Sequence, residues 1–130
     1  VAGKALEPGF FPAIIVPKAI EIGGKQKEIF TKMYKKGVKI AFGTDSGVSP
    51  HGDNAKEFGY LVECGVKPMD AITSATSTAA LILGQKDRLG QIKAGFVADI
   101  VAVEGNPLEG ITILEDVGFV MKEGEVVFDR

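Results

Sequence analysis

One cysteine and one histidine are all that 130 residues hold of the two side chains that most often bind metal or close a crosslink. A single cysteine, Cys64, cannot form an internal disulfide, so nothing asks for an oxidising compartment and a cytoplasmic location is the default expectation. A catalytic zinc site takes about three or more protein ligands of the His, Asp, Glu or Cys kind, and no cluster here has metal-ligand spacing. Basic excess is missing too: a net charge of −2 leaves no surplus to neutralise phosphates, which excludes an electrostatic nucleic-acid footprint. No apolar run approaches the roughly 20 residues of a spanning helix, so no membrane partner is expected. Pro8, Pro12 and Pro17 interrupt the N-terminal apolar run, unlike a secretory leader. The glycines form neither a G-x-G-x-x-G nor a Walker pattern, and nucleotide binding has no support.

What is present is the composition of a globular domain, 45% apolar and 25% charged. Glycine, at 17 residues, is about twice its usual share of roughly 7% and suits many short elements joined by tight turns. The prolines of the first 24 residues predict a loop with at most a short strand or helical turn. Residues 25–36, "KQKEIFTKMYKK", place Ile29, Phe30, Met33 and Tyr34 on one side and predict an amphipathic helix stopped by Gly37. "VKIAF", residues 38–42, predicts a buried parallel strand. Residues 54–65 predict a second helix with Phe58, Leu61 and Val62 inward, capped by Asp53 or Asn54.

Residues 67–84, "KPMDAITSATSTAALILG", predict one further helix. Pro68 sits in its first turn, Asp70 suits its dipole, and Ile72, Ala75, Ala79 and Leu83 face inward. Beyond Asp87 the pattern changes to short strands, "DIVAV" being the strongest. "VGFVMKEGEVVF" predicts a hairpin of residues 119–122 and 125–128 about a Glu123-Gly124 turn. The chain thus divides into an α/β segment, residues 1–87, and an all-β segment, residues 88–130.

The chemistry concentrates in "IAFGTDSGVSPHGDNAKEF", residues 40–58. Ligands of parallel sheets bind at the carboxyl ends of the strands, so a carboxylate ending such a strand, Asp45, is held rigidly yet faces a site. The alternative is that Asp45 caps a turn through the backbone of Ser46 or Gly47, a common use of "TDSG". His51 could touch substrate or metal, or be a polar loop residue. Ser46 and Ser49 lack the G-x-S-x-G elbow of a nucleophilic serine. Cys64 reads as a small buried hydrophobe. Thr73, Ser74, Thr76, Ser77 and Thr78 read as tight helix packing. If Asp45 binds a metal, its fellow ligands come from elsewhere.

"VKIAFGTDSGVSPHGDNAKEF", "VKPMDAITSATSTAALILG", "LGQIKAGFVADIVAVEGNPLE" and "VGFVMKEGEVVF" together resemble, in order, the C-terminal part of the amidohydrolase superfamily. The nearest subgroup is the imidazolonepropionase-like and Xaa-Pro dipeptidase (prolidase-type) members. The resemblance implies the C-terminal portion of a (β/α)8 TIM-barrel hydrolase followed by strands of a small β-sandwich. It implies a site of one or two ions, zinc or another divalent metal, at the carboxyl ends of the barrel strands. Asp45 matches the family's strand-eight aspartate, which holds metal, takes the proton of the attacking water and passes it to the leaving amine. His51 and Asn54 fall in the subgroup's "HGDNAKEF" pattern, where a substrate-binding or supporting role is implied.

The family's H-x-H and the ligands of strands four, five and six are absent, and the chain starts at Val1 rather than Met, so a piece of a longer enzyme is expected. The parent would hydrolyse C–N bonds of dipeptides, cyclic amides or similar small molecules. The isolated chain would bind no metal stoichiometrically and pair with the remainder of the barrel. The alternative is a catalytically inactive, self-associating structural fragment.

Overall fold

Pro17 begins a helix instead of forbidding one. The structure, a computed structural model, describes residue 9, residues 11–46 and residues 51–130. A turn in which Ile15 N–H donates to the Pro12 carbonyl at 2.8 Å leads into α1, Val16–Lys35, a helix of 20 residues. This corrects the loop expected over residues 11–24; residues 1–8 and 10 lie outside the described residues. Proline is at home in a first turn, where its missing amide has no helical partner to lose. Gly23 and Gly24 cost about 1 kcal/mol each against alanine in a helix interior. Ion pairs at i,i+4 flank them, Glu21 with Lys25 and Glu28 with Lys32, both at 2.6 Å, a spacing that supports a helix weakly on an exposed face.

The chain then runs extended through residues 38–42, but not as the buried parallel strand expected from its apolar run. Among the described residues it pairs with no strand, and Val38 is 44% exposed. Its anchor is Phe42, whose N–H donates to the Ser74 carbonyl at 3.1 Å and whose ring lies 4.4 Å from that of Phe58, tilted by 35°. Phe58 belongs to α2, Lys56–Glu63, which follows a 3-10 turn at Asp53–Ala55. No side chain caps α2 or the 3-10 turn, so the expected Asp53 or Asn54 cap is not formed. Asp53 instead pairs with Lys56 at 3.0 Å. Leu61, Val66 and Ala71 form the buried centre of this half, with Phe30, Tyr34, Phe42, Phe58 and Val62 packed around it.

Residues 67–84 make two helices where one was expected: α3, Pro68–Ala75, and α4, Ser77–Ile82. The break is at Thr76, whose φ of −119° and ψ of −97° leave the helical region. Its hydroxyl donates to the Ile72 carbonyl at 2.8 Å, a local bond that competes with the backbone ladder. The break also turns the inward face. Ala71, Ser74 and Ala80 are buried, whereas Leu83, expected inward, is 69% exposed. Tyr34 ties α1 to α3, its hydroxyl donating to Asp70 Oδ2 at 2.5 Å and accepting the Lys67 N–H at 3.2 Å. The bond to Asp70 holds the phenol above its ordinary pKa.

The C-terminal strands form one antiparallel sheet, β1 (Ile100–Val103), β2 (Val117–Lys122) and β3 (Glu125–Asp129), in the order β1-β2-β3. Residues 89–99, expected to include strand, carry none. The hairpin turn is as expected: Glu123 and Gly124 both have positive φ, 52° and 86°, the two-residue turn that matches strand twist. Between β1 and β2, where only a connector is legible, lies a 3-10 turn, Ile111–Glu115, which packs against α2 and buries Ile111.

The hairpin tip is tethered by Asp99, which accepts the Glu123 N–H at 2.8 Å and pairs with Lys122 at 3.2 Å. The amide bond first, and the lysine second, hold the Asp99 carboxyl below its usual range. A depressed carboxyl stabilises the fold above its unfolded pKa of about 3.9, and the contribution is lost as pH falls through the lower folded value. Acidification below about pH 4 should therefore release the tip before the strands part. Faster hydrogen exchange at the Glu123 amide, ahead of Val120, would register it; uniform exchange along the hairpin would contradict it.

Candidate functional site

Asp45 is set by the elements on either side of it. Three residues before it, Phe42 is fixed by Phe58 and the Ser74 carbonyl. One residue after it, the Ser46 hydroxyl donates to Asn54 Oδ1 at 3.1 Å and accepts from Thr44 Oγ1 at 3.2 Å. Between these anchors Asp45 takes φ of +49°, one of two non-glycine residues with positive φ among those described. That left-handed conformation costs roughly 1–2 kcal/mol for most side chains, and aspartate tolerates it better than most. The carboxylate is exposed and, among the described residues, has no hydrogen bond or ion pair. The turn cap through Ser46 is not made; Gly47 lies outside the described residues.

His51 is exposed, in the turn before the 3-10 segment, with no partner among the described residues. Asn54 is brought to Asp45's neighbour, Ser46; His51 is brought to neither by any contact described. Ser49 lies outside the described residues. Ser46 has weight as a hydrogen-bonding link, a role that spacing could not show because its partner is eight residues away. Among the described residues, no three His, Cys, Asp or Glu side chains converge as a metal site.

The helix hydroxyls behave as packing groups: Ser74 donates to the Ala71 carbonyl at 2.6 Å, and Thr76 to Ile72. Cys64 is half-buried, and burial pushes its thiol pKa up, against reactivity. Glu57, half-buried in the first turn of α2, is likewise pushed up by burial. A groove of about 430 Å³ runs beside residues 37–40 between Tyr34, Leu61, Asp70 and Leu81. Asp45 is not among the residues that line it.

An extended segment ending in a free carboxylate, followed by helices and a small antiparallel sheet, corresponds to a known class. The amidohydrolase family matches residues 5–127, and the chain belongs to that family. A crystal structure of a Xaa-Pro dipeptidase with methionine bound in its active site is similar at a TM-score of 0.88 and 50% identity, over 98% of this chain and 31% of that one. A prolidase complexed with N-methylphosphonate-L-proline is similar at a TM-score of 0.79 and 32% identity, over 92% of this chain and 30% of that one. Ochratoxinase of Aspergillus niger is 43% identical over 84 residues, which are 63% of this chain and 17% of that protein. The chain therefore spans at most a third of these proteins. No helix among the described residues is long and apolar enough to cross a membrane.

Proposed function

We propose that this chain is the C-terminal part of a metal-dependent (β/α)8-barrel hydrolase, with residues 38–42 its last barrel strand and residues 88–130 part of a β-sandwich. The enzyme cleaves C–N bonds of small amides, dipeptides with a proline on the leaving side first among them. The observation that carries this is Asp45: a carboxylate held in a left-handed conformation at the carboxyl end of an extended segment, with no partner among the described residues. The similarity to a Xaa-Pro dipeptidase and a prolidase supports the substrate class. The surface supports the missing remainder. The chain exposes 9145 Å², against about 6,600 Å² for a monomer of its mass. The match to hydrolases favours part of an enzyme over a self-associating chain with a purely structural role.

An exposed carboxylate oxygen is a suitable donor for a divalent ion, and Asp45 is the residue of this chain that would hold one, with the other ligands supplied by the parent. A bound ion would lower the pKa of a water towards roughly 7 and polarise the scissile carbonyl. Asp45 accepts the proton of the attacking water and returns it to the leaving amine, which an ionised carboxylate within hydrogen-bond reach can do. His51, exposed in the turn before the 3-10 segment, would meet substrate.

The test is hydrolysis of Xaa-Pro dipeptides by the purified full-length enzyme before and after chelation. Chelation should remove all but a few per cent of turnover, zinc or another divalent ion should restore it, and the isolated chain should show neither turnover nor stoichiometric zinc. Turnover indifferent to chelation would reject metal dependence, and no cleavage of any dipeptide would reject the substrate class.

A further inference from the structure

Three hydroxyl and amide groups form a short relay around Asp45 without touching its carboxylate. Thr44 Oγ1 donates to Ser46 Oγ at 3.2 Å, and Ser46 Oγ donates to Asn54 Oδ1 at 3.1 Å. Thr44 and Ser46 are the residues immediately before and after Asp45, so their joined hydroxyls close a loop over its backbone. Between the two, Asp45 takes a left-handed φ of +49°. Asn54 carries this closed loop onto the 3-10 turn Asp53–Ala55, which leads directly into α2. That helix is fixed by buried Leu61 and by the ring of Phe58 against Phe42. Phe42 and Asn54 thus hold Asp45 from both sides, one by packing and the other by a hydrogen bond.

We propose that Asn54 is a positioning residue for Asp45, acting through the hydroxyl of Ser46, and not a contact for substrate. The inference rests on the reading of Asp45 given above and assigns how its geometry is kept. A side chain whose acceptor oxygen is committed to Ser46 braces the turn. The carboxylate, free of partners among the described residues, then keeps a fixed direction without spending its own oxygens on the fold. Groups that orient a metal-holding or proton-accepting residue from behind are worth on the order of 10–100-fold in metal affinity or activity.

The experiment compares Ser46→Ala, Asn54→Ala, the double variant and Ser46→Thr in the full-length enzyme. It measures kcat and KM on a Xaa-Pro dipeptide, zinc affinity by chelator competition, and the urea midpoint. Each alanine variant should lower kcat and zinc affinity by about 10–100-fold with KM within about twofold. The double variant should fall no further than the worse single, because both remove one link, and Ser46→Thr, which keeps the hydroxyl, should recover most of the loss. A raised KM with kcat held in Asn54→Ala, not reproduced by Ser46→Ala, would make Asn54 a substrate contact and overturn the proposal. Losses that only track a lowered urea midpoint would overturn it in favour of a structural role. Loss in Asp45→Asn with both alanine variants unchanged would overturn this proposal alone, and full activity in Asp45→Asn would overturn it together with the reading beneath it.

Discussion

Asp45→Asn in the full-length enzyme is expected to cut kcat by roughly 10²–10⁴-fold, the range for removing a positioned acid–base group, while leaving the fold unchanged. The substitution is nearly isosteric, and asparagine tolerates left-handed φ at least as well as aspartate, so the conformation at +49° is kept. The carboxylate has no partner among the described residues, so its loss breaks no bond there. What the amide cannot do is accept the proton of an attacking water, and it is a poorer ligand for a divalent ion than a charged oxygen. Steady-state kinetics beside a urea titration separate the two consequences: kcat falls and the midpoint stays. Undiminished turnover with metal present would remove Asp45 from the chemistry.

Gly90→Ala is expected to be the most destabilising alanine substitution among the described glycines, at about 3 kcal/mol from left-handed strain and overpacking together. Gly90 has φ of +80°, and a Cβ placed there would lie 2.6 Å from the Thr76 carbonyl oxygen, 2.7 Å from its carbon and 3.0 Å from the Ala80 methyl. The obstructing atoms are backbone, and that oxygen already accepts the Ala80 N–H at 2.9 Å. Thr76 is moreover the residue where α3 ends and α4 begins, so it cannot retreat without moving a helix. A urea midpoint shift should report the loss. A change under about 1 kcal/mol, the strain of left-handed φ alone, would mean that the segment around Gly90 yields instead.

The parts of this fold legible in the sequence are those fixed by neighbours in the chain. The hairpin could be placed because Glu123-Gly124 specifies its own turn, and α2 because Phe58, Leu61 and Val62 repeat at helical spacing. Motif order identified the family, which the match over residues 5–127 bears out. The readings that missed depend on distant partners or position. Pro17 reads as a breaker because its neighbours do not show that the helix starts there. The break at Thr76 is set against Gly90, fourteen positions on, and one apolar stripe carried the reading straight through it. Residues 38–42 have the composition of a buried strand, but only Phe42 finds the core, and no described strand pairs with them. The relay from Thr44 to Asn54 joins polar residues with no periodicity, and serine there could be weighed only as a nucleophile.

The sheet and the extended segment also differ in when they can form. β2 and β3 meet across two residues, and such a hairpin closes in roughly 1–10 μs from contacts already at hand. Residues 38–42 have no strand to join among the described residues, so as the proposed last barrel strand they would pair with chain far away in sequence. Pairing of that kind would pay loop-closure entropy before any contact rewards it, and would be slower than the hairpin. On that reading Asp45, braced locally through Ser46 and Phe42, would meet its fellow ligands only after this late pairing.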